Sequence, residues 1–156
     1  MPEVIKVTTQ EQMSDAYNVR FNVFVEEQKV PEEEEIDEFE EEAVHFVAYD
    51  QDKPIGAGRF REVEGVGKVE RICVLADYRH TGAGRLLMEA IEAFAKEQRV
   101  NLKLNAQTRA KGFYEKLGYH VTSGEFMDAG IPHVEMKKPC SCSNCKVFAD
   151  YLGNEV

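Results

Sequence analysis

The chain has 156 residues and a mass of 17.7 kDa, a length that is usual for one domain. Hydrophobic residues make up 43% and charged residues 31%, which excludes a largely disordered protein. The net charge of −10 argues against a nucleic-acid-binding protein, because such proteins normally present a basic surface. No apolar run reaches the ~18–20 residues of a membrane span, and the first residues lack a secretory signal pattern. We therefore expect a cytoplasmic protein that binds neither nucleic acid nor membrane.

The predicted elements alternate between strands and helices. Residues 4–8 read as a strand, and Thr8 with Glu11 predicts a capping box for a helix that runs to about Val25. An acidic segment, residues 32–42, carries nine carboxylates in eleven positions. Three strands are predicted at 44–50, 55–63 and 68–75, then a helix at 84–98, a strand at 102–106, a helix capped by Thr108, and strands at 120–126 and 133–136.

This order predicts a mixed α/β (α+β) fold with one central sheet flanked by helices. Pro139 is expected to end the main domain, residues 1–138, and to begin a cysteine-rich C-terminal tail, residues 139–156.

The most informative segment lies between the most β-like strand and the clearest helix. It contains two glycines and two arginines, in the order Arg79, His80, Thr81, Gly82, Ala83, Gly84 and Arg85. The start of a helix leaves backbone N–H groups unpaired and its dipole favours anions, while glycines let a phosphate approach the backbone. The alternative is a glycine-rich turn without a ligand. The spacing is neither GxGxxG nor GxxxxGK[ST], which makes Rossmann and P-loop sites poor matches.

Two motifs resemble the GNAT superfamily of acyl-CoA-dependent N-acetyltransferases. The stretch ERICVLADYRHTGAGRLLM resembles the acyl-CoA-binding signature of that family, a strand followed by R/Q-x-x-G-x-G/A and a helix. AKGFYEKLGY resembles its A-x-x-F-Y-E-K-x-G-F/Y segment. The motifs VPxEEEIDE, ERICVL, LNAQ and DAGIPH are similar to those of a subgroup of small bacterial members whose substrates are mostly undefined.

The resemblance implies a mixed sheet of about six to seven strands that splays at the acyl-CoA site. The strand before the turn parts from the next parallel strand, and the pantetheine arm enters between them. Carried over, the backbone at Cys73 and Val74 would bind the pantetheine and residues 79–85 the diphosphate. Many members have Asn where this chain has Gln107, and either Gln107 or Asn105 would contact the cofactor arm.

Tyr114 aligns with the general acid of the family, and its phenol would protonate the departing thiolate of CoA. The alternative is a core position beside Phe113, a residue that we expect in the core. Glu70 is the first candidate for the general base, and the alternative of equal weight is a structural carboxylate paired with Arg71 or Arg59. His45 and His120 are weaker candidates, because a lone strand histidine is more often structural.

Three further features have two readings each. The acidic segment would attract a cationic amine, although a solvated charged face is the better interpretation. Cys73 is close enough to the expected thioester for acylation, but such residues are far more often small buried hydrophobes. Cys140, Cys142 and Cys145, with His133 as a fourth ligand, are weak candidates for a zinc site, and an unliganded reduced tail is equally expected.

The sequence therefore predicts an N-acetyltransferase that moves an acetyl group from acetyl-CoA to a primary amine by direct attack. The acceptor is a small molecule or a peptide, and the sequence does not choose between a monomer and a homodimer. One alternative is a non-catalytic CoA-binding or regulatory protein of the same fold, and a second is a metal or redox module built on the tail.

Overall fold

The structure is a computed structural model, and it describes residues 2–139. The strands are β1 (Glu3–Lys6), β2 (Val44–Asp50), β3 (Lys53–Val63), β4 (Val66–Val74), β5 (Asn101–Gln107), β6 (His120–Val121), β7 (Phe126–Asp128) and β8 (Ile131–Lys138). The α-helices are α1 (Gln10–Arg20), α2 (Glu32–Glu35), α3 (Ala83–Gln98) and α4 (Lys111–Lys116). A π-helix, Phe21–Glu27, continues α1, and short 3₁₀ turns cover Ala76–Tyr78 and Thr108–Ala110.

The strands form one mixed sheet in the order β1-β2-β3-β4-β5-β8-β6, with β7 paired to β8. Its helices and strands alternate as the sequence predicts, which confirms the mixed α/β (α+β) fold. The sheet has eight strands because the expected strand at 120–126 is broken into β6 and β7. Ser123 and Gly124 lie at the break, where Glu135 N–H donates to Ser123 Oγ at 2.9 Å instead of to a strand partner.

The chain divides into two compact units. Among the described residues, the first extends to Arg61 and includes Glu70–Ala93, whereas the second comprises Glu62–Val69 and residues 94–139. Strands β3 and β4 each contribute residues to both units.

In the first unit, α1 packs on the antiparallel strands β1, β2 and β3. The buried cluster comprises Ala16, Val19, Val23, Val47, Ala57 and Cys73. The capping box of α1 lies one residue later than predicted: Thr9 is the N-cap, and it exchanges hydrogen bonds with Gln12. Thr9 takes this role because its backbone is extended at the position where the helix begins.

Helix α3 approaches β3 closely through two glycines. A Cβ on Gly56 would lie 3.0 Å from Leu87 Cδ1 of α3, and one on Gly58 would lie 3.0 Å from Ile91 Cδ1 of α3. The same two atoms would also crowd β4, at 3.1 Å from the Cys73 carbonyl oxygen and 2.6 Å from Ile72 Cδ1. These contacts let the apolar stripe of α3, with Leu87 and Ile91 fully buried, lie directly on the sheet.

The second unit is built on β5 and β8, which pair antiparallel from Leu102↔Lys138 to Gln107↔His133. The segment after β5 differs from the prediction. Thr108 does not cap α4, which begins after Ala110 without a side-chain cap. The residues from Thr108 to Ala110 form a 3₁₀ turn instead, so the helix starts two residues later.

Within this unit β4 and β5 pair in parallel from Val66↔Asn101 to Val69↔Leu104. Each strand continues beyond that register, β4 to Val74 and β5 to Gln107. A register that stops before both strands end agrees with the splayed sheet that the family resemblance implies.

Candidate active site

Two residues of the turn after β4 have a positive φ angle. His80 has φ 66° and Gly82 has φ 91°, and a Cβ on Gly82 would meet no atom within 4 Å. The first helical bond of α3 runs from Leu86 N–H to Gly82 O at 3.0 Å. The N–H groups of Ala83, Gly84 and Arg85 therefore precede the intrahelical bonds, as expected at a helix start. The turn has the open, amide-lined form that an anion site requires.

Two exposed residues complete the turn. His80 and Thr81 lie on the surface, and Thr81 Oγ1 donates to the Tyr78 carbonyl oxygen. This hydrogen bond closes the loop onto the preceding 3₁₀ turn and helps fix the direction of the amides that follow.

Both arginines of the turn are paired with carboxylates. Arg85 Nε lies 3.0 Å from Glu89 Oε2, and the Arg85 side chain is 70% exposed. Arg79 makes a bidentate pair with Glu27 and donates from Nε to the Val74 carbonyl oxygen at 3.0 Å. An exposed pair such as that of Arg85 contributes little and is easily exchanged, whereas the bidentate pair of Arg79 is the stronger one.

Cys73 is a core residue. Its side chain belongs to the buried cluster under α1, and burial raises the pKa of its thiol to about 12. The thiolate is the nucleophilic form, so this environment favours the structural reading of Cys73 over acylation.

Glu70 lies between two arginines. Its Oε1 is 2.7 Å from Arg59 Nη2 and 3.1 Å from Arg61 Nε. Burial alone would raise the pKa of Glu70, but hydrogen bonds and charge from Arg61 and Arg59 outweigh it and hold this pKa below its usual value. A carboxylate stabilised in this way is a weaker proton acceptor, which favours the structural alternative, with Arg59 rather than Arg71 as partner.

Arg71 faces the acidic segment because β4 is irregular at this point. Its φ is 59°, an unusual value for a strand residue. Successive strand residues normally point to opposite faces, yet Arg71 pairs with Asp37 at 3.2 Å, and Asp37 also pairs with Arg59, the partner of Glu70. The local distortion brings both neighbours into one charged cluster.

Two carboxylates of the acidic segment, Glu35 and Glu40, are buried, and a third, Asp37, is half-buried. Arg20, only 1% exposed, pairs with Glu35 and with Glu40, each at 2.7 Å, and Arg59 pairs with Asp37 at 2.8 Å. Burial alone would raise the pKa of Asp37, but the bonds from Arg59 and a backbone N–H outweigh it and lower this pKa to about 2. We call this set, with Arg61, Glu70 and Arg71, the arginine–carboxylate network.

The prediction of a solvated acidic face is therefore right for six of the nine carboxylates and wrong for Glu35 and Glu40, which are buried, while Asp37 is half-buried. Glu32, Glu33, Glu34, Glu38, Glu41 and Glu42 are exposed. His45 belongs to the interior as well: its Nε2 lies 2.8 Å from the Glu40 carbonyl oxygen, and burial lowers its pKa. His45 therefore reads as structural, whereas His120 is exposed.

In the second unit, the burial of Phe113 differs from the expectation that this residue lies in the core. Tyr114 is buried with 8% exposure, whereas Phe113 is 38% exposed, so its assignment to the core was wrong. The Tyr114 ring packs edge-on against Phe113 and Tyr119, at centroid distances of 5.0 and 5.9 Å. Tyr114 lies on the buried face of the short helix α4, and Phe113 therefore lies on its outer face.

The other candidates of this unit lie on β5 and β8. Asn105 is exposed, and Gln107, two residues further along the same face, accepts a hydrogen bond from Arg109 Nε at 2.9 Å. His133 lies opposite Gln107, stacks on Phe126 and contacts the Ile131 carbonyl oxygen through Nδ1 at 2.7 Å.

The tail candidates for zinc, Cys140, Cys142 and Cys145, lie outside the described residues. Within residues 2–139, no group of three or more His, Cys, Asp or Glu side chains is arranged to hold a metal ion. In the same residues, no helix is both long and apolar enough to cross a membrane.

Comparison with known proteins decides the family. A family model described as an acetyltransferase (GNAT) domain matches residues 5–140. The chain belongs to the GNAT acetyltransferase family. An uncharacterized N-acetyltransferase of Bacillus subtilis strain 168, YjcF, is 54% identical over 131 residues, which cover 83% of this chain and 94% of YjcF.

Solved structures agree with this membership. A crystal structure described as an N-acetyltransferase from Lactobacillus plantarum superposes with a TM-score of 0.82 at 30% identity, covering 89% of this chain and 98% of that one. An aminoglycoside 6'-N-acetyltransferase, complexed with coenzyme A, gives a TM-score of 0.67 at 16% identity, covering 87% of this chain and 96% of that one. At that identity the second likeness concerns the fold alone.

For this GNAT protein, the sequence predicts the Arg59–Glu70 pair as one alternative, but not the rest of the arginine–carboxylate network or the partner of Arg79. The available signal was the excess of arginines, namely Arg20, Arg59, Arg61 and Arg71, at apolar positions of predicted elements. Such residues need buried counterions, and the nearby acidic segment is rich in them.

Proposed function

We propose that this GNAT protein is an acetyl-CoA-dependent N-acetyltransferase that acts on a primary amine. The observation that carries the proposal is the open turn between β4 and α3, with its positive φ at Gly82 and the amides of Ala83 to Arg85 ahead of the helical bonds. A turn of this form suits a diphosphate, and the coenzyme A bound by the structurally similar aminoglycoside acetyltransferase supports the same ligand class.

In this proposal the donor is held by residues of the first signature motif and by the end of β5. The amides of residues 80–85 bind the diphosphate, the β4 backbone at Val74, next to Cys73, binds the pantetheine, and Asn105 or Gln107 contacts the cofactor arm. Arg85 adds a positive charge, since its pair with Glu89 is exposed and readily exchanged.

The reaction is a direct acyl transfer. The amine nitrogen attacks the thioester carbonyl carbon, a C–N bond forms, and the C–S bond breaks as the tetrahedral intermediate collapses. Tyr114 donates its phenolic proton to the departing CoA sulfur, and the nitrogen loses its extra proton to a base. Glu70 remains the candidate base from the sequence, acting through water, although its arginine partners weaken it as a proton acceptor.

The catalytic test is the variant Tyr114→Phe, assayed by CoA thiol release over a panel of amines. We expect kcat to fall by about 10²–10⁴-fold, the usual contribution of a general acid, because the ring remains while the proton donor is lost. The matched control is Tyr119→Phe, which removes a hydroxyl from the neighbouring ring and should leave kcat unchanged. An unaltered kcat in Tyr114→Phe contradicts the acid role.

The donor site is tested by Gly84→Glu, with CoA affinity measured by calorimetry. We expect Kd to rise at least about tenfold, because like charges about 4 Å apart near a protein surface repel by up to about 4 kcal/mol. The control Gly124→Glu adds the same charge at an open loop position and should change little. Equal affinity in both variants contradicts a diphosphate site at this turn.

A non-catalytic CoA-binding or regulatory protein is the second candidate. It predicts CoA binding without turnover of any amine, and unchanged CoA binding in Tyr114→Phe. The same assays therefore distinguish the two functions. For the tail, zinc analysis of the whole chain against a version ending at Lys138 tests the metal module.

A further inference from the structure

Arg79 donates three hydrogen bonds to two partners, Glu27 and Val74, which use three of the five N–H groups of its guanidinium. Nη1 and Nη2 donate to Glu27 Oε2 and Oε1 at 2.7 and 2.6 Å, and Nε donates to the Val74 carbonyl oxygen at 3.0 Å. The two side chains are only about one-third exposed, at 36% and 37%. Such a two-pronged pair fixes orientation as well as distance, because the planar fork of arginine matches the two oxygens of a carboxylate.

The Val74 carbonyl lies on the edge of β4 that faces away from β3. Leu75 N–H donates to Ile55 O of β3 at 2.8 Å, and the backbone groups of successive strand residues alternate between the two edges. The Cys73 carbonyl faces β3, since a Cβ on Gly56 would come within 3.1 Å of it. Arg79 therefore covers a carbonyl on the edge where, under the proposed function, the acyl donor lies.

Glu27 is positioned for this contact by the π-helix. It is the last π-helical residue, and the following Gln28 N–H bonds to Val23 O, five residues back, at 3.0 Å. A turn closed by i→i−5 bonds holds an extra residue, so side chains after it point in a different direction from those on a continued α-helix. The wider turn is what aims Glu27 at Arg79.

We propose that Arg79 is a positioning residue rather than a phosphate ligand, and that Glu27 acts through it to hold the Val74 edge of β4 for the thioester. We call this pair the Glu27–Arg79 clasp. The inference rests on the proposed function and assigns the diphosphate to the amides and Arg85 alone. A two-pronged contact with a phosphate would require Arg79 to release either Glu27 or Val74, whereas Arg85 gives up only one exposed pair.

Two thioesters separate the two roles of Arg79. Acetyl-CoA carries the diphosphate, whereas S-acetyl-N-acetylcysteamine lacks it. For each donor, kcat/KM is measured from the initial slope of rate against donor concentration. The clasp predicts that Arg79→Lys and Glu27→Gln lose about 10–100-fold with both donors, the size of one or two charged hydrogen bonds. Lysine keeps the charge and can bind phosphate, but it cannot bridge Glu27 and Val74 at once.

A phosphate ligand gives the opposite pattern. Arg79→Lys would then lose activity with acetyl-CoA only, and Glu27→Gln would keep or improve it because a competing carboxylate is removed. Either result overturns the clasp. The double variant Glu27→Gln/Arg79→Lys should lose no more than either single variant, since the two residues act as one unit, and additive losses would also overturn it.

The matched control is Glu26→Gln, an exposed glutamate on the same π-helix, which should retain full activity with both donors. Thermal unfolding of every variant separates a local effect from a loss of folded protein. A wild-type protein that neither binds CoA nor turns over acetyl-CoA overturns the proposed function, and the clasp with it. Wild-type turnover with undiminished Glu27→Gln and Arg79→Lys activity overturns the clasp alone.

Discussion

At the residue scale, the clearest lesson concerns side chains that are neighbours in sequence but differ in environment. Tyr114 and Phe113 are adjacent on α4, yet the tyrosine is buried and the phenylalanine is exposed. Glu70 and Arg71 are adjacent on β4, yet both reach the arginine–carboxylate network because the backbone at Arg71 has a positive φ. Hydrophobicity alone predicts that Phe113 is more buried than Tyr114, which is wrong. Strand alternation alone would place Glu70 and Arg71 on opposite faces of the sheet, although both reach the network.

Cys73 allows a residue-scale prediction about reactivity. Because burial raises its pKa to about 12, the Cys73 thiol should be alkylated by iodoacetamide at pH 8 far more slowly in the folded protein than in urea. Peptide mapping by mass spectrometry after timed quenching measures this residue separately from the other cysteines. Equal rates of labelling at Cys73 with and without urea would contradict the structural role.

Local motifs made some of the site predictable. The turn at residues 79–85 combines glycines, a helix start and a preceding strand within a few residues, so its open form follows from neighbouring sequence. The partner of Arg79 does not, because Glu27 lies 52 residues away, and the sequence names Arg59, 11 residues from Glu70, only as one of two possible partners of that carboxylate. Choosing among many acidic and basic residues at such separations requires the fold itself.

At the element scale, hydrophobic periodicity identified most of the helices and strands. The long apolar stripe of α3 and the β-branched run of β4 have strong periods, and both appear within two residues of the expected bounds. The segment 120–126 and the start of α4 differ, because a two-residue strand and a 3₁₀ turn are too short to leave a period. The sequence does not predict the π-helix either, because its first residues continue the helical hydrophobic pattern of α1.

The packing of α3 on β3 gives an element-scale prediction. Gly56→Ala should lower the free energy of unfolding by about 1–3 kcal/mol, because the new methyl would press on the Cys73 carbonyl, which is backbone and cannot rotate away. Urea unfolding followed by circular dichroism measures the change.

The control for this variant is Gly112→Ala on α4, where a Cβ meets no atom within 4 Å. Alanine is the better helix former by about 1 kcal/mol, so this variant should be neutral or more stable. If both variants change stability equally, close approach at Gly56 is not the reason for the glycine.

At the scale of the whole molecule, the arginine–carboxylate network should control stability against acid. The pKa values of Asp37, Glu40 and Glu70 are lower in the folded protein, so their contribution is full above their ordinary pKa and is lost as pH falls. The pKa of His45 is lowered by burial, so the unfolded chain takes up a proton first, below about 6.5, and stability begins to fall there. Both effects therefore lower the stability of the folded protein as pH falls.

We therefore expect Tm to decrease steadily between about pH 6.5 and pH 3, measured by thermal unfolding in matched ionic strength. Asp37→Asn should flatten the part of this curve below pH 5, because the carboxylate with the pKa of about 2 is gone. Glu33→Gln, an exposed glutamate of the same acidic segment, should leave the slope unchanged. A curve for Asp37→Asn that runs parallel to that of the wild type contradicts the assignment.

The acidic segment, with nine carboxylates in eleven positions, is an obvious candidate for deletion when a chain is shortened for crystallisation. In this protein the deletion of residues 32–42 would take away Glu35 and Glu40, the two counterions of a guanidinium that is 1% exposed. Stranding such a cation costs about 3–5 kcal/mol, a large part of the 5–15 kcal/mol that holds a typical domain folded. Protein engineers should therefore treat the middle of this tract as interior and confine any trimming to its outward-facing glutamates.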